Sequence, residues 1–248
     1  MNKEQFRTTF SGDSIPTYSC PGCTKGTLAK ISFASESTAA AQRNIEQGCS
    51  EGWWEPEHDE LIFRMELKCH ACDNLVLAHG DGYVEEEHEV DVNGNWERHW
   101  VSYHRPRSFF PPLKFIECPS ATPREVEGHL GVAASLYHSS PAASCNSLRM
   151  AVEEILNSLG VDESTKTKYI PLAERIKKLP ADSNEYALLD AIRWLGNDGS
   201  HSNSQINHAD VEGAFSIMDL LVEDLYSDRK RKIQELAQKI RESKGPVR

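Results

Sequence analysis

The hydrophobic and polar positions of this chain follow two different periods, and the period changes near residue 120. Before that point, short runs rich in β-branched and aromatic residues are separated by turn signals such as "DG" and "NGN". These runs predict four strands: "LAKISF", "DELIFRMELK", "LVLAHG" and "RHWVSYHR". We therefore predict a β-rich domain over residues 1–105, followed by a proline-rich connector over residues 106–121.

After the connector, apolar residues recur at helical spacing and predict four or five amphipathic helices. The second of them spans "SPAASCNSLRMAVEEILNSLG", and Gly160 is expected to end it. A later helix carries an apolar stripe of Leu188, Ile192 and Leu195, and Gly196 is expected to end that one.

Short links between such helices are typical of an antiparallel bundle, which we predict over residues 122–227. Residues 228–248 are highly charged and predict a C-terminal helix or tail. The predicted fold class is therefore α+β, with a β-rich domain preceding an antiparallel helical bundle.

The 248 residues carry a net charge of −11, which is spread unevenly. Residues 1–119 contribute −8 and residues 120–248 contribute −3, yet the stretch from Asp228 onward is +5. An acidic chain is a poor general binder of nucleic acid, because lysine and arginine supply most of the affinity for phosphate. No apolar run predicts a membrane span or a signal peptide, so we expect a cytoplasmic protein with no membrane partner.

Two Cys-x-x-Cys pairs give the clearest chemical signal in the chain. "CPGC" supplies Cys20 and Cys23, and "CHAC" supplies Cys69 and Cys72. Two such pairs suit a tetrahedral zinc ion, because the short spacer lets both sulfurs of a pair face one ion. We predict a structural zinc in a zinc-ribbon-like N-terminal domain, since four thiolates leave no open position for water. Two alternatives stay open: one pair is incidental, or the pairs are redox-active.

A polar cluster surrounds the end of the helix that closes with "RWLGNDGSH". This stretch places an arginine, an asparagine, an aspartate and a histidine around two glycines: Arg193, Asn197, Asp198 and His201. On the second bundle helix, Arg149 and Glu153 share one face because they are four residues apart. In a bundle, both arginines would lie at the edges of core faces. The alternative interpretation is a surface ion pair and an ordinary polar helix terminus.

Three segments resemble the HEPN superfamily (higher eukaryotes and prokaryotes nucleotide-binding): "PREVEGHLGVAASLYHSSPAASCNSLRMAVEEILNSLG", "AIRWLGNDGSH" and "DLLVEDLY". The resemblance covers about residues 106–227, and the cysteine ribbon extends it loosely to the N-terminus. Within the superfamily, the chain is similar to a bacterial branch of unknown function that often carries such a ribbon. The resemblance implies an HEPN-like all-α bundle, usually a homodimer, and a place in phage defence or a toxin–antitoxin system.

Many members of the superfamily are metal-independent ribonucleases that use an arginine and a histidine near the dimer interface. Others are inactive scaffolds or sensors. Carried onto this chain, the resemblance makes Arg193 and His201 the catalytic pair, with Asn197 helping to place them. Arg149 and Glu153 resemble the second-helix motif of the branch. Seven residues separate Arg193 from His201, a longer spacer than the superfamily usually has.

RNA cleavage without a metal uses the 2′-hydroxyl as the nucleophile on its own phosphate. His201 would act as the base, because imidazole titrates near neutrality. Arg193 would supply a planar cation for the charge that grows on phosphorus. Arg149, Glu153 and Asp198 would bind phosphate or hold the catalytic pair in place. The expected function is thus an endoribonuclease that leaves a 2′,3′-cyclic phosphate on its RNA substrate.

The alternative function belongs to another class, a non-catalytic interaction or sensor module. On that hypothesis the bundle only dimerises, and a protein partner docks through the acidic N-terminal domain or the charged C-terminal tail. The acidic charge balance and the long spacer between Arg193 and His201 favour this hypothesis.

Overall fold

In the computed structural model, the fold is α+β, with an antiparallel sheet in the N-terminal part and helices in the C-terminal part. The chain divides into two compact units: residues 2–115 with 134–141, and residues 116–133 with 142–248. We call them the sheet unit and the helical unit. The residues that the structure describes are 2–12, 14–23, 25–90, 92, 94–161, 169–200 and 205–245.

The described residues of the sheet unit form a five-stranded antiparallel sheet in the order β1-β5-β4-β3-β2. Its strands are β1 (Phe10–Ser11), β2 (Leu28–Ser37), β3 (Glu60–Cys69), β4 (Leu75–Val90) and β5 (Trp96–Phe110). All four predicted strands are confirmed as β2 to β5, and the two-residue β1 was not predicted. β5 continues to Phe110, so residues 106–110 of the predicted connector belong to the sheet instead.

Alternation along β3 explains how the sheet acquires a core. Leu61, Phe63, Met65 and Leu67 are buried, and the residues between them are exposed. A period of two places all four on one face of the strand. The ring of Phe63 stacks on Phe33 of β2, with the ring centroids 5.7 Å apart, so aromatic contacts continue the core across strands.

A helix that the sequence reasoning missed lies inside the β-rich half. α1 (Ala39–Glu51) begins where the Thr38 side chain accepts a hydrogen bond from the Ala41 N–H. It ends at Gly52, whose φ of 78° is left-handed and therefore suits glycine. Among the residues of α1, only Ala41 and Gly48 are buried, so its apolar stripe is too short to be recognised by periodicity.

The predicted helices are confirmed, with two further details. They are α2 (Arg124–Leu136), α3 (Pro141–Ser158), α4 (Leu172–Ile176), α5 (Asn184–Asp198), α6 (His208–Tyr226) and α7 (Arg229–Ser243). α4 has only five residues, little more than one helical turn. α7 forms most of the charged C-terminal segment. No helix among the described residues is both long and apolar enough to cross a bilayer.

The two glycine predictions have opposite outcomes. Gly160 ends α3 as predicted, with a φ of 71°. Its N–H donates to the Asn157 carbonyl, and the Val161 N–H donates to the Leu156 carbonyl, both over 3.0 Å, which is a Schellman ending. The prediction for Gly196 is wrong, because α5 continues to Asp198 and Gly196 is buried inside its last turn.

Candidate metal centre and arginine cluster

The four predicted cysteines come together at one end of the sheet unit. Cys20 and Cys23 lie in the loop before β2, Cys69 ends β3, and Cys72 lies in the turn that leads to β4. Their Sγ atoms all lie within 4.8 Å of one another. The Cys20–Cys72 and Cys23–Cys69 sulfur distances are 3.7 and 3.6 Å. Zn–S bonds of about 2.3 Å at tetrahedral angles require sulfurs about 3.8 Å apart, so the cluster suits a metal ion of that kind.

Backbone N–H groups support two of these sulfurs. The Gly22 N–H lies 3.3 Å from Cys20 Sγ, and the Ala71 N–H lies 3.4 Å from Cys69 Sγ. Gly26, which the sequence reasoning missed, closes the first loop against Cys69. A β-carbon at residue 26 would come within 2.9 Å of the Ala71 Cβ and closer still to the Cys69 sulfur. Only glycine therefore allows the two cysteine loops to meet.

The same network changes the acidity of the thiols. Burial would raise the pKa of Cys69, but N–H groups of Ala71 and Cys72 and the neighbouring thiols lower that pKa to about 6. At Cys72 the Asn74 N–H acts to lower the pKa, but the other thiols and burial raise it to about 12. A lowered pKa favours the thiolate form of Cys69, which is the form in which cysteine binds metal.

His70, which lies between Cys69 and Cys72 in the sequence, makes its ring contacts with Thr27. The ring Nδ1 of His70 lies 3.1 Å from the Thr27 N–H and 3.0 Å from the Thr27 carbonyl oxygen. Among the described residues, the group able to hold a metal consists of the four cysteines alone.

Arg149 and Glu153 of α3 form the ion pair that their spacing predicts, with Nη1 3.2 Å from Oε1. Arg193 of α5 is more deeply placed, and 11% of its side chain is exposed. Its Nε donates to Asp190 Oδ1 over 2.7 Å, and its guanidinium lies 4.2 Å from the centroid of the Trp194 ring. Each arginine is thus held by a carboxylate of its own helix.

The C-terminal end of α5 lies on α3. A β-carbon at Gly196 would come within 2.9 Å of Arg149 Cδ, which is why the helix carries a glycine inside its last turn. One turn further, the Ser200 hydroxyl lies 3.1 Å from Asn146 Oδ1, and Gly199 approaches the Ala142 backbone. α3 and α5 are therefore in close contact at this turn, with Arg149 at the contact and Arg193 three residues before Gly196 on α5.

The remaining predicted site residues lie around the end of α5. Asn197 is half-buried and Asp198 is exposed, both in the last turn of the helix. His201 lies outside the described residues, so its place in the cluster stays a prediction. Ser200, the residue before it, is bonded to α3 and to the Gly196 carbonyl.

Two functional side chains escaped the sequence reasoning. Asp190 could have been found, because it lies three residues before Arg193 on the same helical face. Arg175 of α4 gave no signal in the sequence, although it is only 3% exposed. Its Nη2 donates to Asn157 Oδ1 over 2.5 Å and to the Val161 carbonyl over 3.2 Å. Arg175 thereby caps the C-terminal end of α3 and fixes the helix that carries Arg149.

Comparison with known proteins yields two family matches. Residues 8–110 match a domain of unknown function, DUF8608, and residues 132–243 match a second domain of unknown function, DUF4145. The first match covers the strands and the four cysteines, and the second covers both arginines. No curated protein and no solved structure is significantly similar to the chain.

Proposed function

We propose that the chain is a cytoplasmic, zinc-containing endoribonuclease of HEPN type that acts as a homodimer. The resemblance to that superfamily implies a role in phage defence or a toxin–antitoxin system. The zinc is structural and completes the sheet unit as a zinc-ribbon-like domain. Its support is the pair of sulfur distances, 3.7 and 3.6 Å, together with a ligand set that leaves no position for water.

One observation carries the ribonuclease proposal. α3 and α5 meet at Gly196, with Arg149 on one surface and Arg193 on the other, beside the turn that leads to His201. A guanidinium has five N–H donors, and the hydrogen bond of Arg193 to Asp190 uses its Nε. Asp190 and Glu153 fix the two cations, and in the proposed site other N–H groups of the two guanidinium groups bind phosphate oxygens.

The proposed reaction needs no metal. His201 removes the proton from the 2′-hydroxyl, and O2′ attacks the adjacent phosphorus. The bond from phosphorus to the 5′-oxygen breaks, and the leaving oxygen takes a proton from a general acid or from water. Arg193 and Arg149 stabilise the negative charge that accumulates on the phosphoryl oxygens during this exchange. The products are a 2′,3′-cyclic phosphate and a 5′-hydroxyl.

A second candidate function is favoured by the same ion pairs. Glu153 and Asp190 each neutralise one arginine, so the cluster adds no net positive charge to an already acidic chain. A phosphate site without excess positive charge binds nucleic acid weakly. On this candidate function, the ion pairs only hold α3 and α5 together, and the protein is a non-catalytic interaction or sensor module.

The decisive experiment is cleavage of a structured RNA by zinc-loaded protein in buffer without other divalent ions. Three substitutions are compared with wild type: His201→Gln, Arg193→Lys, and the control His129→Gln on α2. We expect cleavage by wild type and by the control, with a loss of about 100-fold or more for His201→Gln. Mass spectrometry of the fragments should show the cyclic phosphate.

A matched RNA with 2′-O-methyl groups lacks the nucleophile and should resist cleavage. The ribonuclease proposal fails if wild type leaves structured RNA intact, or if His201→Gln cleaves as fast as the control. Tight RNA binding or partner binding without cleavage would favour the non-catalytic module.

A further inference from the structure

β4 and β5 extend beyond the rest of the sheet as a two-stranded arm, which we define as residues 84–102. β3 supplies a neighbour to β4 only as far as Tyr83, and β1 supplies one to β5 only as far as Tyr103. Beyond these residues, the described parts of the two strands pair only with each other, out to Val90 opposite Trp96. A two-stranded hairpin alone is marginally stable in water, so a contact with another element would stabilise the arm.

One face of the arm is acidic. Glu85, Glu87 and Glu89 point to this face, and Glu89 lies directly opposite Glu97 of β5. Like charges in that position destabilise a strand pair. The hydrogen bond to Glu87, together with burial and the charges of Glu87 and Glu85, raises the pKa of Tyr103 to about 12. The arm as a whole has six acidic residues and one arginine, a net charge of −5.

The opposite face of the arm carries exposed apolar side chains at its outer end, next to an ion-paired group of Glu86, His88 and Arg98. Val90 and Trp96 form its outermost cross-strand pair and are 53% and 73% exposed. Trp100 lies on the same face two pairs further in, with the Arg98 guanidinium 5.5 Å from its ring centroid. Exposed aromatic and aliphatic side chains clustered on one face are typical of an interaction surface.

α7 has the complementary character. Residues 229–244 contain seven basic and two acidic residues, a net charge of +5. Ile233, Leu236 and Ile240 fall on one stripe of the helix and are 45–55% exposed. Ile233 and Leu236 also line an open cleft of about 580 Å³ beside Tyr226, yet this leaves the stripe half uncovered. A helix of this length is marginal in water unless its apolar stripe is covered.

We propose that the arm binds α7 of a second copy of this chain. The apolar stripe of α7 covers the face of Val90, Trp96 and Trp100. The arm is two strands wide, about 5 Å between strand axes, so lysine and arginine side chains beside the stripe reach the glutamates around its edges. Charges of −5 and +5 then neutralise each other.

A second copy explains both elements at once. In a dimer with a two-fold axis, the arm of each copy binds α7 of the other copy. Both exposed elements of each copy are then covered. A separate basic protein would cover the arm and leave α7 open. Two α7 helices paired with each other would place +5 against +5, which opposes association.

Charge reversal tests the exchange. The arm variant is Glu85→Lys with Glu89→Lys, and the helix variant is Lys239→Glu with Arg241→Glu, all exposed residues. The control variant is Glu46→Lys with Glu57→Lys, which reverses two exposed charges on the same unit as the arm. Sedimentation equilibrium at low salt gives the dimer dissociation constant, and circular dichroism verifies that each variant is folded.

We expect wild type and the control to dimerise with similar affinity, and each test variant alone to dimerise about tenfold more weakly or worse. An equimolar mixture of the two test variants should dimerise again. In the mixed dimer the reversed arm of one copy faces the reversed helix of the other, and the unchanged arm faces the unchanged helix, so both contacts join opposite charges. A monomeric wild type at 100 μM or so overturns the proposal, as does a mixture that dimerises no better than its components. A variant that carries all four reversals on one chain should also dimerise, and its failure would contradict the pairing.

Discussion

Gly196 of α5 lies directly against the aliphatic part of Arg149 on α3. A β-carbon at residue 196 would come within 2.9 Å of Arg149 Cδ and closer still to its Cβ. The glycine therefore sets how closely the two arginine-bearing helices approach, and this approach is the basis of the proposed site.

The substitution Gly196→Ala should reduce the free energy of unfolding by about 1–3 kcal/mol, because the added methyl group forces α3 and α5 apart. Gly213→Ala on α6 is the matched control, since nothing lies within 4 Å of a β-carbon there. That control should stabilise the protein by about 0.5–1 kcal/mol, the usual gain of alanine over glycine inside a helix. Urea unfolding of the two variants measures both effects, and equal stabilities would contradict the close approach.

Cys72→Ser should remove most of the bound zinc and lower the melting temperature, because three sulfurs no longer complete the tetrahedral shell. Cys49→Ser is the control, since Cys49 is exposed and lies outside the cluster. Elemental analysis should find about one zinc per chain in wild type and in the control. A strong chelator should lower the melting temperature of wild type but leave that of Cys72→Ser unchanged. Wild type prepared with no zinc would rule the metal site out.

Arg175→Met should reduce the free energy of unfolding by about 2–4 kcal/mol. The change removes the charged donors that satisfy Asn157 and the Val161 carbonyl at the end of α3. Arg43→Met on α1 replaces an exposed arginine and should change stability by less than about 0.5 kcal/mol. Denaturant unfolding followed by helical circular dichroism distinguishes the two, and similar losses would mean that Arg175 does not cap α3.

His104 should make the sheet unit less stable in mild acid. It is buried among Phe10, Phe33 and Phe63, and burial lowers its pKa below 6.5, against a smaller opposing effect of the Phe10 backbone. The unfolded chain then binds the proton more tightly than the folded chain does. Stability from this group is complete above pH 6.5 and declines as the pH falls from there toward the lowered pKa.

The test compares unfolding free energies at about pH 7.5 and about pH 5.5 in wild type and in His104→Gln, which retains a polar group near Ser35 but does not titrate. Wild type should lose more stability between the two pH values than the variant does. Loss of zinc in acid affects both proteins equally and cancels in the comparison. Identical losses would show that His104 is not the titrating group.

The sequence predicted those elements in which the pattern of apolar and polar residues repeats several times. Alternation along β3 and the stripe of α6 each repeat over several residues, so their patterns identify a strand and a helix. α1 escaped because it buries only Ala41 and Gly48, and a stripe of two residues is not a period. The cysteine pairs were predictable because a short spacer fixes the geometry of each pair locally.

Contacts between distant parts of the chain were not predictable. Gly196 was interpreted as a helix end because glycine is common there, whereas its reason is the side chain of Arg149 on another helix. Arg175 was not singled out, since nothing in its neighbourhood along the chain marks it as a cap for α3. Such roles depend on which helices become neighbours, and local sequence does not encode that.

The continuity of β4 gives the sheet unit a mechanical property. The strand starts three residues after Cys72 and runs without interruption to the tip of the arm. A pull on the arm along the strand axis is therefore carried in shear, with the hydrogen bonds of β4 to β3 and β5 loaded together rather than opened one at a time. A partner bound to the arm would therefore be connected through one continuous strand to the cysteine cluster at the other end of β4.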